Sequence, residues 1–462
     1  MRPDPDKTAQ GLQMFGWFAP RCPLNTLDKV WVERRMQWLT RRFGIQRMRD
    51  ARVILPTDEF FPDRYDCDEP SARICLDRMC KYLGVDSATI VLEVRSDDDM
   101  PGAAGLYQMN ERSKICIARS QLENPTRLLA TLAHELSHEL LLKGGHITRE
   151  TSDHEQATDL LPVVLGAGIF LANATVVHAS TSDGPVNYFS ISKHGYLSSI
   201  TLGYALALFA FVRGENSPRW ANYLRTDARV TLKKGLSFLR ATRDTIYSPE
   251  SVERGTAEPT AEEIQRDLCH RSPTFRLAAL WDIAEHSFPP ERLLPAVTAC
   301  LKDRDLAVQC EAVRTLGAFG TAAIRSIPLL IEAAWYGQHD IRIAAIESLG
   351  VIGGDPGDIV PALATVLRDT EPEIVRTAAL ALARFGDSAS RAEDELLQAL
   401  EAAAALIDDH RIEALILALR NAGPNVQDRI RSHFAGRDRE GMRIVLEHVR
   451  VQEKRNTSSN SP

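Results

Sequence analysis

The sequence predicts an α+β, mostly helical N-terminal half followed by an all-α half of stacked helix pairs. Three observations predict it: two short β-like runs, helical apolar spacing over residues 125–143, and a 33-residue repeat that starts near residue 274. With 462 residues, 44% of them hydrophobic, and a net charge of -7, the chain can pack two or three domains. This composition excludes a disordered chain and a small disulfide-held fold.

The first 60 residues predict a basic amphipathic helix region. Apolar positions over residues 27–43 follow helical spacing and stop at Gly44. Residues 1–50 carry ten Lys/Arg against five Asp/Glu, and the pairs Arg34-Arg35 and Arg41-Arg42 share one helix face. We interpret this face as a solvated surface, because the acidic chain as a whole argues against a nucleic-acid partner.

Residues 61–246 predict a second, mixed segment. Its elements are a helix over 70–83, strands Ile90–Val94 and Lys114–Ala118 with a turn at Gly102–Gly105, and a helix over 125–143. Two uncharged runs follow, Leu160–His178 and Gly195–Val212. We interpret them as central buried helices, with membrane spans as the alternative, because each is close to the minimum spanning length.

The C-terminal part repeats every 33 residues. Alanines recur in one register, flanked four residues away on both sides by large apolar residues; they are Ala279, Ala312, Ala345 and Ala378. In a second register an apolar residue followed by proline recurs, with the prolines at Pro295, Pro328 and Pro361. Each 33-residue repeat predicts two short helices, of which the outer one starts at the proline, and a glycine ends the repeat. Over about residues 270–425 this pattern resembles the HEAT-like repeat family, which implies a solenoid that binds proteins.

The motif with the clearest chemistry is His134-Glu135-Leu136-Ser137-His138, inside the predicted helix over 125–143. Side chains at i and i+4 leave a helix on the same face, so both imidazoles can reach one zinc ion. Glu135 lies beside them, placed to take a proton from a water molecule on the metal. The plain alternative for His134 and His138 is a pair of core histidines.

Downstream, Glu155-Gln-Ala-Thr-Asp159 completes a recognisable pattern. Together with the His-Glu-x-x-His motif it resembles the gluzincin (thermolysin-like) zinc metallopeptidases over about residues 105–215. The resemblance implies a zincin-like fold, Glu155 as the third zinc ligand, and Asp159 as the residue that orients a ligand histidine. It also implies a strand lining the substrate cleft, here Lys114–Ala118. The metzincin pattern does not fit, since Leu141 and Gly144 stand where it needs Gly and His.

Several alternatives stay open at this stage. Ser152 to Glu155 also reads as a capping box, which would make Glu155 structural. His146 and His154 could replace a ligand, although each falls in a loop or at a helix start. The donor that stabilises the oxyanion is not chosen by the sequence among four residues, namely Tyr188, His194, Tyr196 and Tyr204.

The sequence therefore predicts a zinc-dependent metallopeptidase-like hydrolase acting on a peptide or protein, with repeats that bind a protein partner. The alternatives are a non-catalytic interaction scaffold with a structural or degenerate zinc site, and a membrane-embedded metallopeptidase. No signal peptide is expected, so a cytoplasmic location is the default. The predicted division is 1–60 basic helix region, 61–246 zincin-like domain, 247–273 linker, 274–450 repeats and 451–462 disordered tail.

Overall fold

The computed structural model describes residues 20–174, 176–181, 188–193, 196–254, 258–286, 288–436 and 439–459. For residues 176–193, 439 and 452–459 the description is confined to the backbone. The chain divides into two compact units, which we call unit 1 (Met1–Ala257) and unit 2 (Glu258–Pro462). We describe each unit by itself.

Unit 1 is mostly helical. Its helices are α1 (Thr26–Phe43), α2 (Ile45–Asp50), α3 (Glu69–Leu83), α4 (Pro125–His138), α5 (His154–Val164), α6 (Gly168–Ala174), α7 (Ser199–Val212), α8 (Thr226–Thr242) and α9 (Pro249–Arg254). Helix α1 begins one residue before the predicted residue 27 and ends at Phe43 as predicted; the following Gly44 has a positive φ of 92°. Its basic face is only partly solvated: Arg41 and Arg42 are exposed, but Arg35 is half-buried. The reason is a contact with Asp153.

A three-stranded sheet lies in unit 1. Its strands are β1 (Ile90–Arg95), β2 (Gly105–Gln108) and β3 (Ser113–Ala118), in the order β1-β3-β2. Strand β3 is central, parallel to β1 and antiparallel to β2. Strand β2 was not predicted because Gly105-Leu-Tyr-Gln108 lacks a strand-like alternation and follows a turn signal. A hairpin of β4 (Val176–Thr181) and β5 (Tyr188–Lys193) is also present.

The two uncharged runs form buried helices over most of their length. The first run is divided between α5 and α6, and the second gives the 14-residue α7. The end of the first run was predicted wrongly as helix, because residues 176–178 lie in β4. Buried residues of these helices belong to one core cluster with the buried faces of α1, α3 and α4. Among the described residues, no helix has the length and apolar character needed to span a membrane.

Unit 2 consists of helices in sequence. They are α10 (Ala261–Leu268), α11 (Pro273–Glu285), α12 (Pro290–Cys300), α13 (Leu306–Ala318), α14 (Ile327–Tyr336), α15 (His339–Val351), α16 (Pro356–Val366), α17 (Pro372–Leu382), α18 (Glu393–Ala405), α19 (Asp409–Asn421), α20 (Val426–Phe434) and α21 (Arg439–Ser459). The four register alanines lie in α11, α13, α15 and α17, and each is at most 2% exposed. Their small side chains let these inner helices approach closely, as the periodicity predicts.

The proline register is only partly as predicted. Pro328 lies in the first turn of α14, but Pro295 and Pro361 lie inside α12 and α16. Those two helices begin five residues earlier, at Pro290 and Pro356. A second proline thus takes the first-turn position, where its missing N–H costs nothing.

The structure also describes both ends of the predicted repeat region. The unit boundary at residues 257 and 258 falls within the predicted linker 247–273. That range is not free of structure, because it contains α9 and α10, and α10 packs on α11 and α12. At the other end, the backbone of α21 stays helical through Ser459, where the sequence predicts a disordered tail from 451.

Candidate metal centre

The His-Glu-x-x-His motif occupies the last turn and a half of α4. Asn124 caps this helix by accepting a hydrogen bond from the Arg127 N–H, and Pro125 starts it. Its apolar face, including Leu128, Leu132 and Leu136, is buried in the core. A π-helical turn, Glu139–Lys143, follows the motif directly. The core therefore fixes α4, while a wider turn, of the kind often found at functional sites, ends the motif.

Three predicted ligands converge between α4 and α5. The side chains of His134, His138 and Glu155 each offer an atom within 4.8 Å of the others. Glu155 Oε2 lies 3.2 Å from His134 Nε2 and 3.4 Å from His138 Nε2. This oxygen is buried and has no hydrogen-bond partner among the described residues. A buried carboxylate oxygen that makes no hydrogen bond and lies within 3.4 Å of two imidazole nitrogens is the arrangement that a cation would satisfy.

Asp159, the fourth residue predicted for the site, lies behind His134. Its Oδ1 is 2.8 Å from His134 Nδ1, and its Oδ2 accepts hydrogen bonds from the Tyr196 and Leu197 N–H groups at 2.6 and 2.9 Å. Only 2% of Asp159 is exposed. The carboxylate therefore fixes the orientation of the His134 ring and leaves Nε2 turned toward Glu155.

Glu135 is buried at the wall of a cavity of about 330 Å³, which Gly105, Thr131, Tyr196 and other residues also line. Burial raises the pKa of Glu135 to about 7, although His134 acts in the opposite direction. Gly105 leaves room for this carboxylate, because an added Cβ would collide with Glu135 Oε1. The first residue of β2 therefore borders the cavity, and the expectation that Lys114–Ala118 lines it was wrong. Strand β3 is central in the sheet, between β1 and β2.

The electrostatics of the cluster favour a positive charge. Burial alone lowers the pKa of His134, but Asp159 and Glu155 outweigh it and raise that pKa to about 10. Burial lowers the pKa of His138. Without a metal, a proton on His134 supplies the positive charge that the surrounding carboxylates stabilise. A divalent cation bound at the same point would displace that proton.

Two tyrosines stack on the imidazoles, a contact that the sequence did not predict. The Tyr107 ring stacks on His138 with centroids 5.9 Å apart, and its hydroxyl donates to the Glu139 carboxylate at 2.6 Å. The Tyr196 ring stacks on His134 at 5.8 Å and is 52% exposed at the cavity. Only alternation in β2 could have signalled Tyr107, and that strand carries no clear alternation.

The structure distinguishes among the four candidate oxyanion donors. Tyr196 lines the cavity, whereas Tyr204 is fully buried and donates its hydroxyl hydrogen bond to Glu33 at 2.6 Å. The side chain of Tyr188 and the whole of His194 lie outside what the structure describes. Among the described candidates, Tyr196 is thus the one positioned at the site.

The capping-box alternative for Glu155 was wrong. Helix α5 begins at His154, so Glu155 is its second residue, and the capping residue Asp153 makes no side-chain cap. The other two histidines of the cluster differ from each other. His146 packs edge-on against Phe43 at 5.2 Å. His154 approaches the site, with its Nε2 at 3.1 Å from Glu155 Oε1.

Comparison with known proteins assigns unit 2. Its buried register and paired helices define an α-helical repeat fold. A family model described as HEAT repeats matches residues 262–350 and 338–420, so these repeats are HEAT repeats and begin earlier than the predicted residue 274. The match lies within unit 2, and the resemblance of unit 1 to gluzincins stays a prediction.

Other comparisons add little. No curated protein matches this chain. Two crystal structures of engineered proteins from a structural genomics consortium are 20% and 17% identical, with TM-scores of 0.31 and 0.32; they cover 41% and 42% of this chain and 96% and 99% of their own. A chain from a Kap95p–RanGDP structure, concerned with nuclear import complex assembly, is 13% identical with a TM-score of 0.27, covering 70% of this chain and 47% of its own. Such low scores define neither fold nor function here.

Proposed function

We propose that this protein is a HEAT-repeat interaction scaffold whose unit 1 binds one zinc ion through His134, His138 and Glu155. The convergence of three ligand atoms from two helices is the observation that carries the metal site. For unit 2, the HEAT repeats support a protein partner, because stacked repeats offer an extended binding surface. A cytoplasmic location belongs to the same proposal.

Zinc fits the ligand set and its spacing. Two imidazole nitrogens and one carboxylate oxygen are common zinc ligands, and three protein ligands leave a fourth position open. Tetrahedral zinc with bonds of about 2.0–2.1 Å separates its ligand atoms by roughly 3.3 Å. The two spacings from Glu155 Oε2 are 3.2 and 3.4 Å. These two spacings therefore fit zinc, and the nitrogens of the two imidazoles lie within 4.8 Å of each other.

The metal content of the purified full chain tests the site. We expect about one zinc per chain for the wild type and none for His134→Ala. His146→Ala is the matched control, since this neighbouring histidine packs on Phe43 instead, and it should keep its zinc. A wild-type chain without zinc after loading and dialysis, or a His134→Ala variant that retains it, would contradict the proposal.

Crosslinking tests the proposed partner surface on the repeats. Tyr336 is 80% exposed next to Trp335, an aromatic pair of the kind that is enriched at protein interfaces. A photoreactive residue in place of Tyr336 should crosslink to one defined protein in a cell extract, and the same residue in place of Tyr223 in unit 1 should not. Tyr223, at 43% exposed, is the matched control. Equal crosslinking at both positions would argue against a partner surface on the repeats.

Zinc-dependent hydrolysis of a peptide or protein is a second candidate function. The observation that favours it is Glu135, a carboxylate beside the ligands whose pKa of about 7 suits a general base. Bound zinc would supply Lewis-acid polarisation of a carbonyl. Glu135 would accept a proton from the attacking water and pass it to the leaving amine. The Tyr196 hydroxyl, at the cavity, would donate to the developing oxyanion.

Glu135→Gln separates the two candidate functions. If the site is hydrolytic, zinc-loaded wild type should cleave members of a peptide library, and Glu135→Gln should keep its zinc but lose at least about 100-fold in rate. If the site is only structural, neither protein should cleave anything even at high concentration. That second result would remove hydrolysis and leave the zinc-binding scaffold in place.

A further inference from the structure

The residue that begins α5 makes an unusual set of contacts. Asp153 occupies the N-cap position two residues before Glu155, yet its side chain does not cap the helix. The carboxylate instead turns to α1, where it meets Arg35 and Trp31. We call these three residues, Trp31, Arg35 and Asp153, the α1 clamp.

Three hydrogen bonds form the α1 clamp. Arg35 Nε donates to Asp153 Oδ2 at 2.6 Å, and an Arg35 Nη2 bond to Oδ1 completes a two-pronged ion pair. Trp31 Nε1 donates to the same Oδ2 at 2.8 Å. Trp31 and Arg35 are four residues apart, so they leave α1 on one face. Planar, two-pronged pairing fixes the carboxylate in orientation as well as in position.

The helix that carries the clamp is itself firmly held. Glu33 is fully buried in α1, 3.2 Å from Lys29 Nζ. Its carboxylate also accepts hydrogen bonds from the Tyr204 hydroxyl at 2.6 Å and the Ile246 N–H at 2.8 Å. The Arg35 guanidinium stacks on Trp38, 5.3 Å from the ring centroid. The α1 clamp therefore acts from a rigid part of unit 1.

The first turn of helix α5 needs a contact from another element to keep it in place. The first N–H groups of a helix have no partners within the helix, and helix ends fray. Glu155 lies in that turn, at the end of the connection from α4, and its carboxylate must meet two imidazoles. Asp159 anchors α5 only one turn further on. The α1 clamp adds a contact from α1 at Asp153, two residues before Glu155.

We propose that Trp31 and Arg35 are positioning residues that set the metal affinity of unit 1 by placing Glu155 against His134 and His138. This inference rests on the proposed zinc site and adds that two residues of α1 influence its affinity for the metal. Loss of an outer hydrogen-bond partner at metal sites costs about 10–100-fold in affinity, so an effect of this size is expected here.

Zinc competition with a chelator, on the full chain, tests the proposal. Arg35→Met should weaken zinc binding about 10–100-fold, and Arg35→Lys, which keeps the charge but not the two-pronged geometry, should recover part of it. Arg42→Met is the matched control: Arg42 stacks on the same Trp38 ring at 5.6 Å but lies two turns further along α1. It should bind zinc like the wild type. The visible spectrum of the Co²⁺ form should shift in Arg35→Met only.

A double-mutant cycle shows whether Arg35 acts through Glu155. In a Glu155→Ala background, Arg35→Met should cause no further loss of affinity, whereas a general loosening of unit 1 would weaken both backgrounds equally. Equal zinc affinity in wild type and Arg35→Met would overturn the clamp and leave the zinc site standing. A wild type that binds neither Zn²⁺ nor Co²⁺ would overturn both.

Discussion

Each unit of this protein contains a group of three side chains that could ligate a metal, and the two groups differ sharply. In unit 1 they are His134, His138 and Glu155; in unit 2 they are Asp282, Glu285 and His286. In both groups the ligand atoms lie within 4.8 Å of one another. The first group comes from two helices and is largely buried. The second lies at the end of one helix, α11, with Glu285 exposed.

The difference shows that proximity of ligand atoms does not by itself define a metal site. In unit 1, separate groups orient each imidazole: Asp159 bonds His134, and Tyr107 stacks on His138. In unit 2, His286 Nδ1 lies 3.0 Å from the Asp282 backbone oxygen, the usual place of a histidine at a helix C-terminus. Acidic and basic residues three and four positions apart meet on any solvated helix face. Burial and an origin in two separate helices, rather than distance, distinguish the first group from the second.

The largest expected difference between the groups is in the ligands themselves. Glu155→Ala should weaken zinc binding by more than the 10–100-fold typical of an outer partner, because it removes a ligand. Glu285→Ala, the matched change in unit 2, should leave zinc affinity unchanged. Chelator competition measures both variants. Equal losses of zinc affinity would mean that the group in unit 2 also holds the metal, which would contradict the distinction between the two groups.

Asp159→Asn should have the next largest effect. The amide keeps the size of the side chain but cannot accept from His134 and from two backbone N–H groups at once. We expect zinc affinity to fall about 10–100-fold. Asp282→Asn in unit 2 should change nothing. An Asp159→Asn chain that binds zinc like the wild type would show that the orientation of His134 does not depend on this carboxylate.

Zinc binding to unit 1 should depend on pH. His134 has a raised pKa of about 10, so below that pH the metal must displace its proton, and affinity should rise as pH rises. With one proton displaced, the apparent Kd should fall about tenfold per pH unit between pH 6.5 and 8.5. The measurement uses the Glu135→Gln variant, because the Glu135 carboxylate, with a pKa of about 7, would otherwise also titrate in this pH range. Calorimetry in buffers of different ionisation enthalpy should report one proton released, and zero protons would contradict this picture.

The smallest expected effect concerns unit 2, where charged pairs support the fold rather than a metal. Arg276 makes a two-pronged pair with Asp303 at 2.6 and 2.7 Å, partly buried between repeats. Arg276→Met should lower the free energy of unfolding by about 2 kcal/mol and leave zinc affinity unchanged. Arg266→Met, at an exposed pair with Asp267, should cost under about 1 kcal/mol. Chemical denaturation of the zinc-loaded chain compares the two.

The fold of unit 2 could be predicted from the sequence because each repeat packs only on its neighbours. A 33-residue period is therefore enough to identify the buried alanines of α11, α13, α15 and α17. The starts of α12 and α16 could not be predicted as well, since two prolines in each could begin a helix. A proline marks the start of a helix clearly only where no second proline nearby could start the same helix.

The candidate metal centre in unit 1 was predictable in part, because part of it is also local in the sequence. His134 and His138 share a helix turn, so their spacing carries the geometry. The α1 clamp could not be predicted, because Trp31 and Asp153 are 122 positions apart. No pattern along the chain records which helices pack together. For the same reason the stacking of Tyr107 and Tyr196 on the imidazoles was not predicted.

The anomalous signal of zinc in crystals of the full chain, measured on both sides of the zinc absorption edge, locates the metal without mutation. We expect one strong peak, within bonding distance of His134 Nε2, His138 Nε2 and Glu155 Oε2. A peak instead at Asp282, Glu285 and His286, or no peak in zinc-loaded crystals, would contradict it.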